Sequence, residues 1–177
     1  MKNSKVRMLV FCALFAALIV VFAQLQIPLP GLVPISLATF GVMMAGLLLG
    51  WQYGLIAVGV YVLLGAVGVP VFAGFKGGIS ALMGPTGGYI IGYLPYVVLA
   101  GLPVKSWQDS FLGRCVLLLL GTLACYILGT AWFIHATGRT LAESMGLCVL
   151  PFLPGDAVKI ALSAFLAPRL RKAMNQA

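Results

Sequence analysis

Only three acidic residues occur in this 177-residue chain, Asp109, Glu143 and Asp156, so the carboxylates that could do chemistry are quickly surveyed. Asp109 and Glu143 fall in polar breaks between apolar runs, where solvent satisfies a carboxylate. Asp156 stands instead in Leu153-Pro154-Gly155-Asp156-Ala157-Val158-Lys159, among apolar neighbours. On a helix Asp156 and Lys159 are i and i+3 and share a face. A charge at membrane depth costs about 2.5–3.5 kcal/mol on insertion scales, so such residues are usually paired and functional. Two roles are open. The pair could simply anchor its segment, or it could bind a ligand, which the adjacent proline and glycine favour by opening the backbone.

A second constellation is Gly84-Pro85-Thr86-Gly87-Gly88-Tyr89-Ile90-Ile91-Gly92-Tyr93. Pro85 suits the first turn of a helix. Gly84, Gly88 and Gly92 then form a smooth stripe, with Tyr89 and Tyr93 beside it. Such a stripe admits a neighbouring helix or a flat ligand close to the backbone. Lys76, in the glycine-rich stretch Gly74 to Gly78, adds a cation before it. A carboxylate accepts N–H donors, an ammonium attracts an anion, and tyrosines with glycines accommodate an apolar ring. The implied ligand is small and mostly apolar, with an N–H-bearing polar head and an acid group.

Catalysis is poorly provided for. His135 is the single histidine, and no serine or cysteine stands beside a base. No cysteine spacing suits a metal, and no phosphate-binding loop is present. The sequence therefore implies no enzyme, no cofactor and no metal, and uphill transport would need a partner or an ion gradient. The four cysteines, Cys12, Cys115, Cys125 and Cys148, read as small buried hydrophobes.

The elements that position these residues follow from composition. The chain is 62% hydrophobic and 8% charged, more apolar than a soluble domain of this size could hide. No charge occurs from Met8 to Phe75, from Gly77 to Val104, or from Cys115 to Ile134. An all-α integral membrane protein is expected, a single domain over 1–177. Six transmembrane helices fall near 7–25, 36–50, 55–69, 84–102, 111–135 and 154–168. The outer loops are 26–35, 70–83 and 136–153, and Trp51-Gln52-Tyr53 makes a tight inner turn. Segment six is short, because Pro151 and Pro154 interrupt its start.

The net charge of +8 is distributed by side rather than gathered in a nucleic-acid patch. Lys2, Lys5, Arg7, Lys105, Arg114, Arg169, Arg171 and Lys172 fall on one side of such a bundle, and Lys76, Arg139 and Lys159 towards the other. The positive-inside rule then puts both termini in the cytoplasm. Ile27-Pro28-Leu29-Pro30-Gly31-Leu32-Val33-Pro34 is apolar yet cannot be regular helix. Backbone of this kind near a membrane is buried in protein or lines a cavity, and a lid over a pocket meets that condition. Ala13, Ala16 and Ala17 put small residues on one face of the first helix, for contact within the bundle or with a partner.

Four stretches resemble the BioY family, the biotin-specific S-components of energy-coupling factor (ECF) transporters. They are Ile27-Pro28-Leu29-Pro30 through Val33-Pro34-Ile35-Ser36-Leu37 with Thr39-Phe40-Gly41; Gly65-Ala66-Val67-Gly68-Val69-Pro70-Val71-Phe72; Gly84-Pro85-Thr86-Gly87-Gly88-Tyr89; and Pro154-Gly155-Asp156 with Lys159. The resemblance implies a six-helix S-component bundle in a bacterial-type cytoplasmic membrane, with an outward-facing biotin pocket lidded by the loops after helices one and three. It implies that Asp156 and Lys159 contact biotin's polar groups and that Tyr89, Gly87 and Gly88 shape the pocket. Thr39, Ser80 and Lys76 are further candidates; Ser80 stands where the family frequently has asparagine. It also implies that Ala13, Ala16 and Ala17 dock on a transmembrane coupling subunit powered by two ABC-type ATPase subunits. An S-component for another vitamin, and an assembly subunit without ligand, are the alternatives.

Overall fold

The computed structural model describes residues 2–27 and 33–176. Residues 28–32, the centre of the expected first lid, lie outside the described residues. Helix α1 (Lys2–Gln24) leads to a short antiparallel pair, β1 (Gln26–Ile27) and β2 (Ile35–Ser36), in which Gln26 lies opposite Ser36. Next come α2 (Ala38–Ala66), α3 (Ile79–Met83), α4 (Gly87–Ala100) and α5 (Lys105–Asp109). The chain ends in α6 (Phe111–Thr137), α7 (Leu141–Cys148) and α8 (Leu153–Gln176).

Among the described residues, three helices are long and apolar enough to cross a membrane: Lys5–Gln24, Ala38–Ala66 and Phe111–Thr137. A fourth crossing results if Leu141–Cys148 and Leu153–Met174, bent by 51°, count together, and Gly87–Ala100 is apolar but shorter. The middle of α2 is not straight. Gly50 has φ 76° and ψ 175°, a conformation reserved for glycine. A Cβ on Gly54 would lie 3.2 Å from the Ala45 carbonyl oxygen. In a straight helix nine residues span about 13.5 Å, so the halves of α2 fold back on one another at Gly50. The Trp51 amide donates to the Gly101 carbonyl oxygen at 3.1 Å, which ties this reversal to the end of α4. The expected turn at Trp51-Gln52-Tyr53 thus gives way to a break at one glycine, with those three residues already helical.

Other boundaries shift for local reasons. The helix expected over 84–102 begins at Gly87, because Gly84 is extended and Thr86 is the N-cap. The loop 70–83 contains α3, and the loop 136–153 contains α7, which a capping box between Thr140 and Glu143 starts. The last helix does not stop near 168. It continues through Pro168 to Gln176.

The glycine stripe seats α4 on α6. A Cβ on Gly88 would lie 2.2 Å from Trp132 Cβ, and one on Gly92 would lie 3.0 Å from Cys125 Sγ. From the other side, a Cβ at Gly129 would strike the Tyr89 ring at 2.2 Å. In lipid there is little hydrophobic drive between helices, so close backbone approach and interhelical hydrogen bonds hold them together. Tyr89–Thr130 (3.1 Å) and Tyr96–Thr122 (2.9 Å) provide two such bonds.

Candidate ligand-binding site

Proline 154 and Gly155 lie in the first turn of α8, and the Asp156 amide donates to the Phe152 carbonyl at 2.8 Å. That start turns the polar face of α8 into the bundle. Asp156 and Lys159 are 5% and 7% exposed, both buried far from bulk water. Lys159 Nζ lies 3.1 Å from Asp156 Oδ1. It also donates to the Ser36 carbonyl oxygen at 2.8 Å and to Thr39 Oγ1 at 3.0 Å. Those three acceptors match the three donors of an ammonium. The second carboxylate oxygen, Oδ2, accepts a 2.6 Å hydrogen bond from the Tyr126 hydroxyl of α6. The charge pair is compensated on both sides, the condition under which such a pair survives burial.

Two adjoining cavities lie here, and the charge pair lines the smaller of them. The smaller, about 50 Å³, is lined by Thr39, Tyr126, Phe152, Asp156 and Lys159, among others. The larger, about 280 Å³, is lined by Gln26, Tyr61, Phe72, Lys76, Thr86 and Ile90, among others. Val33, Pro34, Ser36, Tyr89 and Tyr93 line both. Aromatic rings pack together along the larger cavity: Tyr61 meets Phe72 edge-on at 5.5 Å and Tyr93 at 6.4 Å. Pocket chemistry of this kind, apolar faces with a few converging polar groups, suits a small molecule.

The roof comes from both lid segments. Gln24 at the end of α1 donates through Nε2 to the Val71 and Phe72 carbonyls, each at 3.2 Å, and its Oε1 accepts from the Phe75 amide at 2.9 Å. One side chain therefore holds the loop after α2 against α1. Among the described residues, Gln26 Oε1 is buried without a hydrogen-bond partner. Buried polar atoms are normally paired, so this carbonyl on the cavity wall has capacity for a donor.

The expected residues divide into three groups. Asp156, Lys159, Thr39 and Tyr89 come together around the two cavities, with Lys76 exposed at the rim of the larger. Ser80 is exposed and lines an outer groove that adjoins the larger cavity through Lys76, Ala81 and Thr86. Gly87 and Gly88 line neither cavity. A Cβ on Gly87 would lie 1.6 Å from the Leu82 carbonyl oxygen, and Gly88 is filled by Trp132, so these glycines pack helices. Tyr93, placed beside the glycine stripe from sequence, lines both cavities, whereas Tyr126, Ser36 and Gln26 were not singled out as site residues. Tyr126 carried a signal nonetheless, since a phenol in the middle of an uncharged run must find a partner and acceptors there are scarce.

On the first helix, Ala13 and Ala17 are exposed one turn apart. Ala16 is 4% exposed and faces inward. It drops out of any outward docking face.

A family model described as BioY family matches residues 1–176. The chain belongs to the BioY family. It is 42% identical over 159 residues to the "Probable biotin transporter BioY" of Pyrococcus horikoshii, covering 90% of this chain and 93% of the relative. It is 39% identical over 166 residues to the "Biotin transporter BioY" of Thermotoga maritima, covering 94% and 96%. The crystal structure of an S-component for biotin from an ECF-type ABC transporter superposes with a TM-score of 0.89 at 35% identity, over 97% of this chain and 94% of that one. Membership of this family and the ECF S-component fold rest on nearly the full length of the chain.

Proposed function

We propose that this BioY-family chain is the biotin-binding S-component of an ECF-type transporter, a membrane transport subunit and not an enzyme. The observation that carries the reading is the buried Asp156–Lys159 pair on the wall of a small cavity that shares Tyr89 and Tyr93 with a larger aromatic-walled one. The relatives' names supply the ligand. Biotin fits the site's chemistry, with a ureido head carrying two N–H donors and one carbonyl, an apolar bicycle and a valerate acid. Asp156 keeps free lone pairs after serving Lys159 and Tyr126, so it accepts ureido N–H. Lys159 sits 3.1 Å from Asp156, so both address the same end of the ligand. Lys159 therefore serves the ureido oxygen, exchanging one of its present acceptors, and not the distant valerate. The bicycle packs on Tyr89 and Tyr93, and Lys76 at the rim takes the carboxylate.

In this reading α1, the two halves of α2, α4, α6 and α8 cross a cytoplasmic membrane as six spans, with both termini inside. The reversal at Gly50 and the one-sided placement of eight basic residues support that arrangement. Biotin enters from outside and orders the two lids. The closed unit then reorients against a transmembrane coupling subunit that touches Ala13 and Ala17, while two ABC-type ATPase subunits supply the energy. Calorimetry of the purified chain with biotin and with lipoate tests the reading. Saturable binding of biotin in preference to lipoate is expected, and absence of biotin binding overturns it.

A further inference from the structure

A second cavity lies at the opposite end of the bundle. Its volume is about 320 Å³, and its lining includes Gln108, Asp109, Arg114, Pro168, Arg171 and Lys172. Arg114 precedes Tyr126 by twelve residues on α6, which places it about 18 Å along the helix from the ligand site. Three cations face one carboxylate here. Among the described residues the one ion pair is Asp156–Lys159, so none of these three cations has an acid within 4.0 Å. Arg114 is only 7% exposed, and a guanidinium buried that far without a counter-charge is costly.

The two arginines are nonetheless held firmly. Arg114 donates through Nε to the Ala164 carbonyl (2.9 Å) and through Nη1 to the Gln108 carbonyl (2.8 Å). Arg171 donates through Nη2 to Gln108 Oε1 at 2.9 Å and to the Leu47 carbonyl. Gln108 is fixed in turn, its Nε2 reaching the Ala100 (3.3 Å) and Leu102 (3.1 Å) carbonyls. Five N–H donors belong to each guanidinium. Among the described residues Nη2 of Arg114, with Nε and Nη1 of Arg171, has no acceptor. Fixed guanidinium groups with spare donors suit a tetrahedral oxyanion, above all phosphate.

We infer that this cavity binds the phosphodiester head group of an anionic phospholipid. Its surroundings favour a lipid over a free phosphate. Phe111, Leu112 and Leu170 are exposed within one turn of Arg114 and Arg171 on α6 and α8, offering apolar surface for acyl chains beside the basic lining. Trp107 beside them is 41% exposed, as suits an aromatic at the membrane interface. Basic pockets between membrane helices bind anionic head groups through the same chemistry.

The test uses the purified full chain in neutral detergent, with phosphatidylglycerol, phosphatidylcholine or inorganic phosphate added. Phosphatidylglycerol is expected to raise the unfolding temperature by about 3 °C or more and to appear as one retained lipid per chain by native mass spectrometry. Phosphatidylcholine and inorganic phosphate should do neither. Arg171→Gln and, separately, Lys172→Gln should remove the retained lipid, with Lys105→Gln leaving it in place. Lys172 is exposed and makes no hydrogen bond among the described residues, so its variant keeps the test valid if Arg171→Gln misfolds. Equal effects of the two lipids, an equal effect of inorganic phosphate, or retention by both lining variants overturns the inference. Biotin binding by the same variants should be unchanged, which keeps this result separate from the ligand reading.

Discussion

At the scale of residues, the proposed ligand site depends on how one carboxylate is shared. Asp156 receives Lys159 on one oxygen and Tyr126 on the other, at 3.1 and 2.6 Å. Hydrogen bonds to charged groups contribute about 1.5–3 kcal/mol each. Asp156→Asn removes the charge and replaces one of the two acceptor oxygens by an NH2 donor, so biotin affinity should fall about 100-fold or more. Asp109→Asn, in the remote basic cavity, should change affinity by less than about threefold, and calorimetry reads both. Equal effects would mean that Asp156 only anchors α8. Tyr126→Phe keeps the ring and deletes one bond to the buried carboxylate, so a loss of about tenfold in affinity is expected together with a fall in stability of about 1.5–3 kcal/mol. An unaltered affinity would show that the phenol does not orient Asp156.

At the scale of elements, glycines do two separate jobs. Gly88 and Gly92 let α4 and α6 approach, whereas Gly50 makes a backbone reversal that other residues rarely adopt. Nothing lies within 4 Å of a Cβ built on Gly50, so a substitution there meets strain and no clash. Gly50→Ala should cost about 1–3 kcal/mol. Gly59 also has open space around it and lies within α2 at a helical position. Gly59→Ala should therefore hold or raise stability, by up to about 1 kcal/mol. Thermal unfolding in detergent compares them, and equal shifts would refute the reversal as the source. The Gln24 clamp works at this scale too, since it joins the helix with the exposed alanines to a loop that roofs the cavity.

At the scale of the whole molecule, the chain separates the proposed ligand site from a basic cavity, with an outward pair of alanines on α1. Ala13→Trp with Ala17→Trp should abolish co-purification with the coupling and ATPase subunits while biotin binding remains within about twofold, because both positions are exposed. Loss of both together would place the alanines inside the fold's own packing and sink the docking role. Ala16→Trp should behave differently. Its side chain is buried, and overpacking there should lower stability by about 1–3 kcal/mol.

Much of this was legible in the chain before any fold was known. Long uncharged runs dictate helices in a membrane, because lipid forces backbone polar groups to pair within each segment. Asp156 and Lys159 stood out because charges are expensive in such surroundings. The sequence alone could not separate a packing glycine from a binding one, since both need the same missing side chain. Only tertiary structure decided that Gly87 and Gly88 receive Leu82 and Trp132, that Ala16 turns inward, and that Ser80 faces an outer groove. It also brought Tyr126 and Ser36 to the pair across thirty and more than a hundred residues, as their sequence separations of 30 and 123 from Asp156 and Lys159 record. Periodicity tells which side of a helix a residue occupies; which neighbour meets that side is set by how the helices pack.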